Sequence, residues 1–269
     1  MCLIAVAWNT RPDLPLALIA NRDEFHARPT APAGPDPDAP DVYGGRDLVQ
    51  HGSWLLAASR RRLAAVTNVR RGSAVETAPR SRGWLVRDFV HGALSAPAFA
   101  QALAADAPAY GRFNLLLWDG PSLWFASNHP RFVAAPVSPG LHAMSNGAFD
   151  APWPKSNAAS ATLRDWLATR AAPLEVDTLD DEAIAPLFAG LRSTTPAPDD
   201  TLPDTGVGLA LERQLSPPFL VDDRYGTRCS SVVLVSPAQL LFVERRFAPG
   251  GVPSGEARIV LRDRAGAAG

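Results

Sequence analysis

Two short apolar runs open the chain. Leu3-Ile4-Ala5-Val6-Ala7 and Leu16-Ala17-Leu18-Ile19-Ala20 flank the polar stretch Asn9-Thr10-Arg11-Pro12-Asp13. Turn residues between apolar runs predict a β-hairpin. With the turn centred between Arg11 and Pro12, Cys2 faces Asn21; a slip of one residue puts Arg22 there instead. Either register sets a thiol beside the polar run Asn21-Arg22-Asp23-Glu24, at the end of an apolar strand.

The pattern continues as alternating groups of strands and helices. Residues 29–41, rich in Pro, Asp and Ala, read as a solvated connector, with a lid over a site as the other reading. Gly44-Gly45-Arg46-Asp47 reads as a turn. Trp54–Ala58 and Leu63–Thr67 form a second hairpin around Ser59-Arg60-Arg61-Arg62, whose arginines read as solvated. A helix is expected from about Trp84 to Leu94, and a second, capped by Ser95, to about Ala105. Phe113–Trp118 and Leu123–Ser127 are strands around Asp119-Gly120-Pro121, and His142–Ser145 is a short one. Asn157–Thr169 and Asp181–Leu191 read as helices, and residues 193–206 as loop. Asp222–Gly226 is a turn before the strand Cys229–Val235, with Leu240–Phe247 and Ala257–Leu261 following.

Most strand neighbours in this order are hairpin partners, so the sheets are antiparallel. About nine or ten strands exceed what one twisted sheet holds comfortably. The fold class expected is α+β: two mostly antiparallel sheets packed face to face, with helices outside. A single domain over 1–264 and a disordered tail over 265–269 complete the reading.

Composition narrows the function classes. A net charge of −1, with no basic or acidic block, gives no nucleic-acid or charged-membrane partner. Two cysteines exclude a disulfide framework and a cysteine zinc cluster. His26, His51, His91, His129 and His142 lack metal-ligand spacing, so no metal or other cofactor is expected. The N-terminal apolar run is too short for a signal sequence, and no stretch of about 20 apolar residues exists. A soluble, cytoplasmic protein is expected. The chain is rich in Ala and Arg and has one lysine, Lys155, which reads as coding bias.

Position two carries the candidate chemistry. A small residue after the initiator Met favours its removal, so the mature chain is expected to begin at Cys2. One residue would then supply a thiol nucleophile and an α-amine base whose ordinary pKa is about 7.7–8.0. Arg22, Arg228 and the residue's own amine predict a lowered thiol pKa. Cys229, starting a β-branched strand, is expected to be buried and inert. Asn68 ends a strand, where a side-chain amide serves either as a terminator or as an oxyanion donor. Trp153 lies between Pro152 and Pro154 in a stiff segment, either a packed corner or a pocket wall.

Together, Met1-Cys2-Leu3-Ile4, Ala20-Asn21-Arg22-Asp23-Glu24-Phe25, Arg28-Pro29, Gly45-Arg46-Asp47-Leu48, Gly52-Ser53-Trp54, Ala65-Val66-Thr67-Asn68-Val69-Arg70, Ser81-Arg82-Gly83, Phe113-Asn114-Leu115, Ser145-Asn146, Pro152-Trp153-Pro154-Lys155 and Tyr225-Gly226-Thr227-Arg228 resemble the NRDE-domain family, also called the transport and Golgi organization protein family. The resemblance runs from Met1 to about Phe247. His51, where Gly is usual, and Cys229-Ser230-Ser231, where Ser-Ser-Thr is usual, depart from it. The family resembles N-terminal nucleophile hydrolases of the penicillin and bile-salt acylase type, which implies a four-layer αββα sandwich of two mostly antiparallel sheets. That resemblance implies catalytic roles for Cys2, Arg22, Asp23, Asn68, Asn146 and Arg228, and substrate contacts for Asn21, Trp153 and Tyr225. The activity implied is a hydrolase or acyltransferase acting on a small-molecule, non-peptide amide or related acyl bond. The alternative is a non-catalytic carrier of a hydrophobic ligand, haem or an acyl-CoA or lipid, as eukaryotic members' links to lipid metabolism and haem handling imply. Oligomeric state is not legible.

Overall fold

The computed structural model of the chain describes residues 2–72 and 76–262. Its first two strands, β1 (Cys2–Arg11) and β2 (Leu14–Phe25), form the expected hairpin. The turn lies at Pro12-Asp13, so Cys2 opposes Arg22 and Leu3 opposes Asn21. The alternative register is the one adopted. Arg11 fixes it locally: its guanidinium makes two bonds to the Asp13 carboxylate, at 3.0 and 2.6 Å.

The chain divides into two compact units. The first comprises residues 1–27, 70–74 and 139–260, and the second residues 28–69, 75–138 and 261–269. In the first, a six-stranded sheet has the order β10-β1-β2-β11-β12-β13, with β10 at Gly140–Met144, β11 at Tyr225–Val235, β12 at Gln239–Ala248 and β13 at Val252–Arg262. β2 is central and antiparallel to both β1 and β11. Period-two alternation puts Leu3, Ala5, Ala17, Ile19, Val232 and Leu234 on one face. They pack against Leu163 and Trp166 of α3 (Pro154–Ala168) and Ile184, Leu187 and Phe188 of α4 (Asp181–Leu191). Pro154 at the first turn starts α3, and Asp180 caps α4 by accepting from the Ala183 amide.

The second unit is an antiparallel seven-stranded meander, β3 to β9 in order. Its strands are β3 (Thr30–Asp36), β4 (Ala39–Asp47), β5 (Leu55–Ala58), β6 (Arg62–Asn68), β7 (Phe113–Trp118), β8 (Leu123–Ser127) and β9 (Val133–Pro136). Helices α1 (Gly83–His91) and α2 (Ala96–Asp106) bury Leu85, Val86, Phe89 and Ala100 against Val66, Phe113, Leu115 and Leu117. Ser95 caps α2, as its sequence position indicates. The α+β class with two antiparallel sheets is the one expected.

Three local readings change. Residues 29–41 are mostly β3 and β4 rather than a connector. β3 is an edge strand, where proline leaves no ladder bond unmade. Gly44-Gly45 lies within β4, not in a turn: a Cβ on Gly44 would meet the Leu55 carbonyl at 2.3 Å, and one on Gly45 the Trp54 ring at 2.1 Å. Close approach to β5 and the residue before it requires these glycines. Arg62 is buried rather than solvated, and its guanidinium donates to Phe89 O at 2.8 Å and Leu94 O at 2.6 Å. It thereby satisfies carbonyls that the end of α1 leaves open. A short helix α5 (Leu209–Gln214) and strand β9 had no sequence signal strong enough to call them out. The tail 265–269 lies outside the described residues. Among the described residues, no helix is long and apolar enough to cross a membrane.

Phe89 is fully buried under the second sheet, with the Phe99 ring edge-on at 5.3 Å between centroids. Phe89→Ala should lower unfolding free energy by about 3–5 kcal/mol, read from urea denaturation.

Candidate active site

The site grows from the registers of β2. Arg22 is opposed by Cys2 on one side and by Cys229 on the other. Directly opposed residues share a face, so the guanidinium lies in a row with two thiols. Arg22 is buried, and its Nη2 is 3.9 Å from Glu24 Oε2. Both cysteines are free; Cys2 is half-buried and Cys229 buried. They stand two strand spacings apart, about 10 Å, too far for a disulfide.

Burial pushes the Cys2 thiol up from its ordinary value, with Arg22 pulling it down and Asp23 and Glu24 pushing it further up. In the full chain desolvation outweighs the cation, so the arginines alone do not lower the thiol. Cys229 is held well above its ordinary value by burial and then by Glu244.

A bulge in β11 sets the next pair. The register shifts between Thr227 and Cys229, so that Asp23 opposes Thr227 while Arg22 opposes Cys229. Arg228 is the extra residue, and bulges re-aim side chains in this way. Its Nη1 donates to the Phe25 carbonyl at 2.9 Å and the His26 carbonyl at 3.2 Å. Asp23 is buried; its Oδ1 accepts from Thr227 Oγ1 at 2.7 Å, and its carbonyl from the Tyr225 hydroxyl at 3.2 Å. Burial raises the Asp23 pKa, against the pull of Lys155 and the Thr227 bond. Burial likewise raises the Tyr225 phenol well above its ordinary value, with Asp23, Glu24 and Cys2 adding to it.

The segment after β10 supplies a second group. Ser145 Oγ donates to the Cys2 carbonyl at 3.0 Å, tying that segment to the start of β1. Asn146 is fully buried. Its backbone carbonyl accepts from the Arg70 amide at 2.7 Å, and its side-chain oxygen faces Lys155 Nζ at 3.5 Å and Ser145 Oγ at 3.3 Å. Lys155, in the first turn of α3, is buried and also donates to the Leu215 carbonyl at 3.2 Å. Arg70 pairs with buried Glu212 at 2.5 Å, bonds Thr205 Oγ1 at 3.0 Å, and lies 5.3 Å from the Trp153 ring centroid. Thr205 in turn donates to Glu212 Oε1 through both amide and hydroxyl.

Cys2, Arg22, Asp23, Tyr225 and Arg228 thus gather at the shared end of β1, β2 and β11. Asn146 joins through Ser145, and Trp153 through Arg70. Asn21 does not join them. Its side chain points to the helical face, where Nδ2 donates to Leu191 O and Pro218 O, both at 2.8 Å, and Oδ1 accepts from Ser230 at 2.6 Å. Those bonds commit its amide to holding α4, which corrects the substrate contact expected of it. Asn68 ends β6 in the second unit, opposite Phe113. Thr227, Lys155, Arg70 and Glu212 were not among the expected site residues. Lys155 had the clearest signal, as the sole lysine of the chain, seated directly after a helix-starting proline. Among the described residues no group of three or more His, Cys, Asp or Glu is arranged to hold a metal ion.

Two predictions follow from this charge arrangement. Iodoacetamide should alkylate Cys2 before Cys229, and the Cys2 rate should climb by roughly tenfold per pH unit from pH 7 to 8.5, because a raised thiol has little thiolate in that range. A rate that is flat across this interval would show a thiol already ionised. Glu212→Ala removes the carboxylate partner of buried Arg70 and should destabilise the fold by about 3–5 kcal/mol in urea denaturation.

Comparison with known proteins gives the chain its relatives. The family model described as Transport and Golgi organisation 2 matches residues 1–249. The Transport and Golgi organization protein 2 homolog of Bos taurus is 29% identical over 266 residues, covering 91% of this chain and 92% of the relative. The homolog of Homo sapiens is 28% identical over 262 residues, with the same shares of 91% and 92%. Among solved structures, the N-acylethanolamine-hydrolyzing acid amidase ortholog of Caenorhabditis elegans is similar at a TM-score of 0.49 and 11% identity, covering 87% of this chain and 92% of that one. A mutant of the conjugated bile acid hydrolase from Clostridium perfringens is similar at a TM-score of 0.42 and 8% identity, covering 96% and 92%. The family match spans nearly the whole sequence, and the chain belongs to the Transport and Golgi organisation 2 family.

Proposed function

We propose that the protein is an N-terminal cysteine hydrolase or acyltransferase acting on a small-molecule, non-peptide amide or related acyl bond. The observation that carries this reading is the pairing of Cys2 with buried Arg22, one residue from a buried Asp23 whose carboxylate is already bonded by Thr227. Buried charges at a strand end, beside a thiol, are expensive to keep for structure alone.

The proposal requires removal of Met1, which lies outside the described residues. The freed α-amine of Cys2 takes the thiol proton, and the sulfur attacks the substrate carbonyl carbon. Asn68 and Asn146 are assigned to the oxyanion. The α-ammonium returns its proton to the leaving amine or alcohol as the C–N or C–O bond breaks, leaving a thioester on Cys2. Water, or an acceptor amine or alcohol, then attacks the thioester, gives its proton to the α-amine, and releases the thiol. Asp23 holds the α-amine, while Arg22 and Arg228 favour the thiolate and orient a polar substrate group. The amine is what overcomes the desolvation that otherwise holds the thiol protonated. Trp153 and Tyr225 are assigned to the substrate. Two free thiols support a reducing compartment, and the proposal is a cytoplasmic one.

The test is incubation of the Met1-cleaved protein with a panel of N-acyl amides and acyl thioesters, followed by intact-mass analysis. An acyl adduct mapped to Cys2, and lost in Cys2→Ala, is expected. Absence of any adduct, together with stoichiometric binding of haem or an acyl-CoA, would replace the enzyme by the carrier. A chain retaining Met1 should form adducts at least about a hundredfold more slowly, since it lacks the base, whose contribution is typically 10²–10⁴-fold.

A further inference from the structure

Lys155 is a buried titratable group beside this site that the proposed mechanism leaves unused. Its position is an unfavourable one for a cation. It is the second residue of α3, at the positive end of the helix dipole, and its side chain is removed from water. Lysine, of all residues, is rarely buried without a specific demand.

Its hydrogen bonds show what it holds. An ammonium has three donors and no acceptor, so the atom it meets on Asn146 is the amide oxygen. Ser145 Oγ lies against the same oxygen. The ammonium bond to Oδ1 fixes the amide's orientation, since an ammonium only donates, and leaves Nδ2 as the donor end of Asn146. The second anchor, Leu215 O, ties the ammonium to the end of α5. The backbone of Asn146 is held separately by the Arg70 amide.

We propose that Lys155 is a positioning residue of the Cys2 site, turning the Asn146 amide so that its nitrogen serves the reacting group, and placing a positive charge where the Cys2 thiolate forms. This rests on the reading of Cys2 as the reacting thiol. The charged groups that face Lys155 are Asp23 from β2, Arg70 from the segment after β6, Glu212 from α5, and Cys2 itself. Burial lowers the ammonium to about 8, with Asp23 raising it, Arg70 lowering it and Cys2 and Glu212 raising it. The charge is therefore present at neutral pH and is lost as pH rises through about 8. Cys2 and Lys155 stabilise each other's charged forms, and such coupling is reciprocal.

Two measurements test this without any substrate, so they remain readable if the acyl-adduct panel fails. The first is the pH–rate profile of Cys2 alkylation by iodoacetamide in Lys155→Met and Lys155→Arg, with thermal melting as the fold control. Lys155→Met should alkylate roughly tenfold more slowly at pH 7.5, a shift of about one pKa unit, while Lys155→Arg keeps the profile close to that of the parent. A folded Lys155→Met with the parent profile overturns the proposal. The second uses isotope-labelled lysine, whose NMR signal is assigned without further work because the chain has one lysine. The side chain should titrate near 8 rather than at its ordinary 10.5. A midpoint at the ordinary value overturns it even if Lys155→Met does not fold.

Discussion

The register of β2 against its two neighbours governs everything else at this site. β2 is a central strand of 12 residues, and its last polar residues meet β1 on one side and β11 on the other. A one-residue slip in a sheet sends every side chain to the opposite face. In the register adopted, Asn21 faces the helices and clamps α4, while Arg22 faces Cys2 and Cys229. Were Cys2 opposite Asn21, the thiol would lie on the apolar helical face and the guanidinium would keep only Cys229 beside it. The bulge at Arg228 makes the second correction, because it lets β11 pair Cys229 with Arg22 and Thr227 with Asp23 in succession.

What the register assembles is a costly set of buried charges. Arg22, Asp23, Lys155 and Glu212 are all nearly inaccessible. For Lys155 the magnitude follows from its titration, lowered from 10.5 to about 8. Below pH 8 the folded and unfolded chains are both protonated here, and burial of the ammonium costs roughly 3 kcal/mol. Between 8 and 10.5 the folded chain releases the proton first, so the penalty fades as pH rises. That sum is a large fraction of the stability of an ordinary domain. Apolar residues of similar volume are often the more stable choice at such positions. The retention of charge at this strand end is a local violation of folding logic, of the kind found at functional sites.

Much of the scaffold was legible because its signals are local. The opening hairpin, both α-helical pairs, β7 and β8, and the Ser95 cap follow from periodicity and capping residues alone. β3 and β4 were not, because proline and paired glycines are read as breakers, and only tertiary placement at a sheet edge and against Trp54 makes them strand residues. Arg62 looked like part of a charged turn because its value lies in carbonyls about 30 residues further on. Of the site, Cys2, Arg22 and Asp23 were within reach of hairpin arithmetic. Lys155, Arg70 and Glu212 were not, since their connection runs through Asn146, Leu215 and Thr205 and no sequence spacing encodes it. A single lysine in an arginine-rich chain is nevertheless a physical statement. Arginine does not lose its proton in a protein, whereas a buried lysine titrates.

The two cysteines separate the contributions of position and charge. Each lies directly opposite Arg22 on the same face of the same sheet, so the cation alone does not distinguish them. Their surroundings do. Cys229 lies inside β11, flanked by β2 and β12, and Glu244 adds a negative neighbour to complete desolvation. Cys2 starts β1, where one side of the residue reaches solvent and where Asp23, Ser145 and Lys155 converge. Proximity to a guanidinium, the feature most easily read from the motif, therefore does not set the two thiols apart. The strand end does: Cys2 lies where the sheet stops on one side and where Ser145 is bonded to its carbonyl, whereas Cys229 is enclosed between two strands.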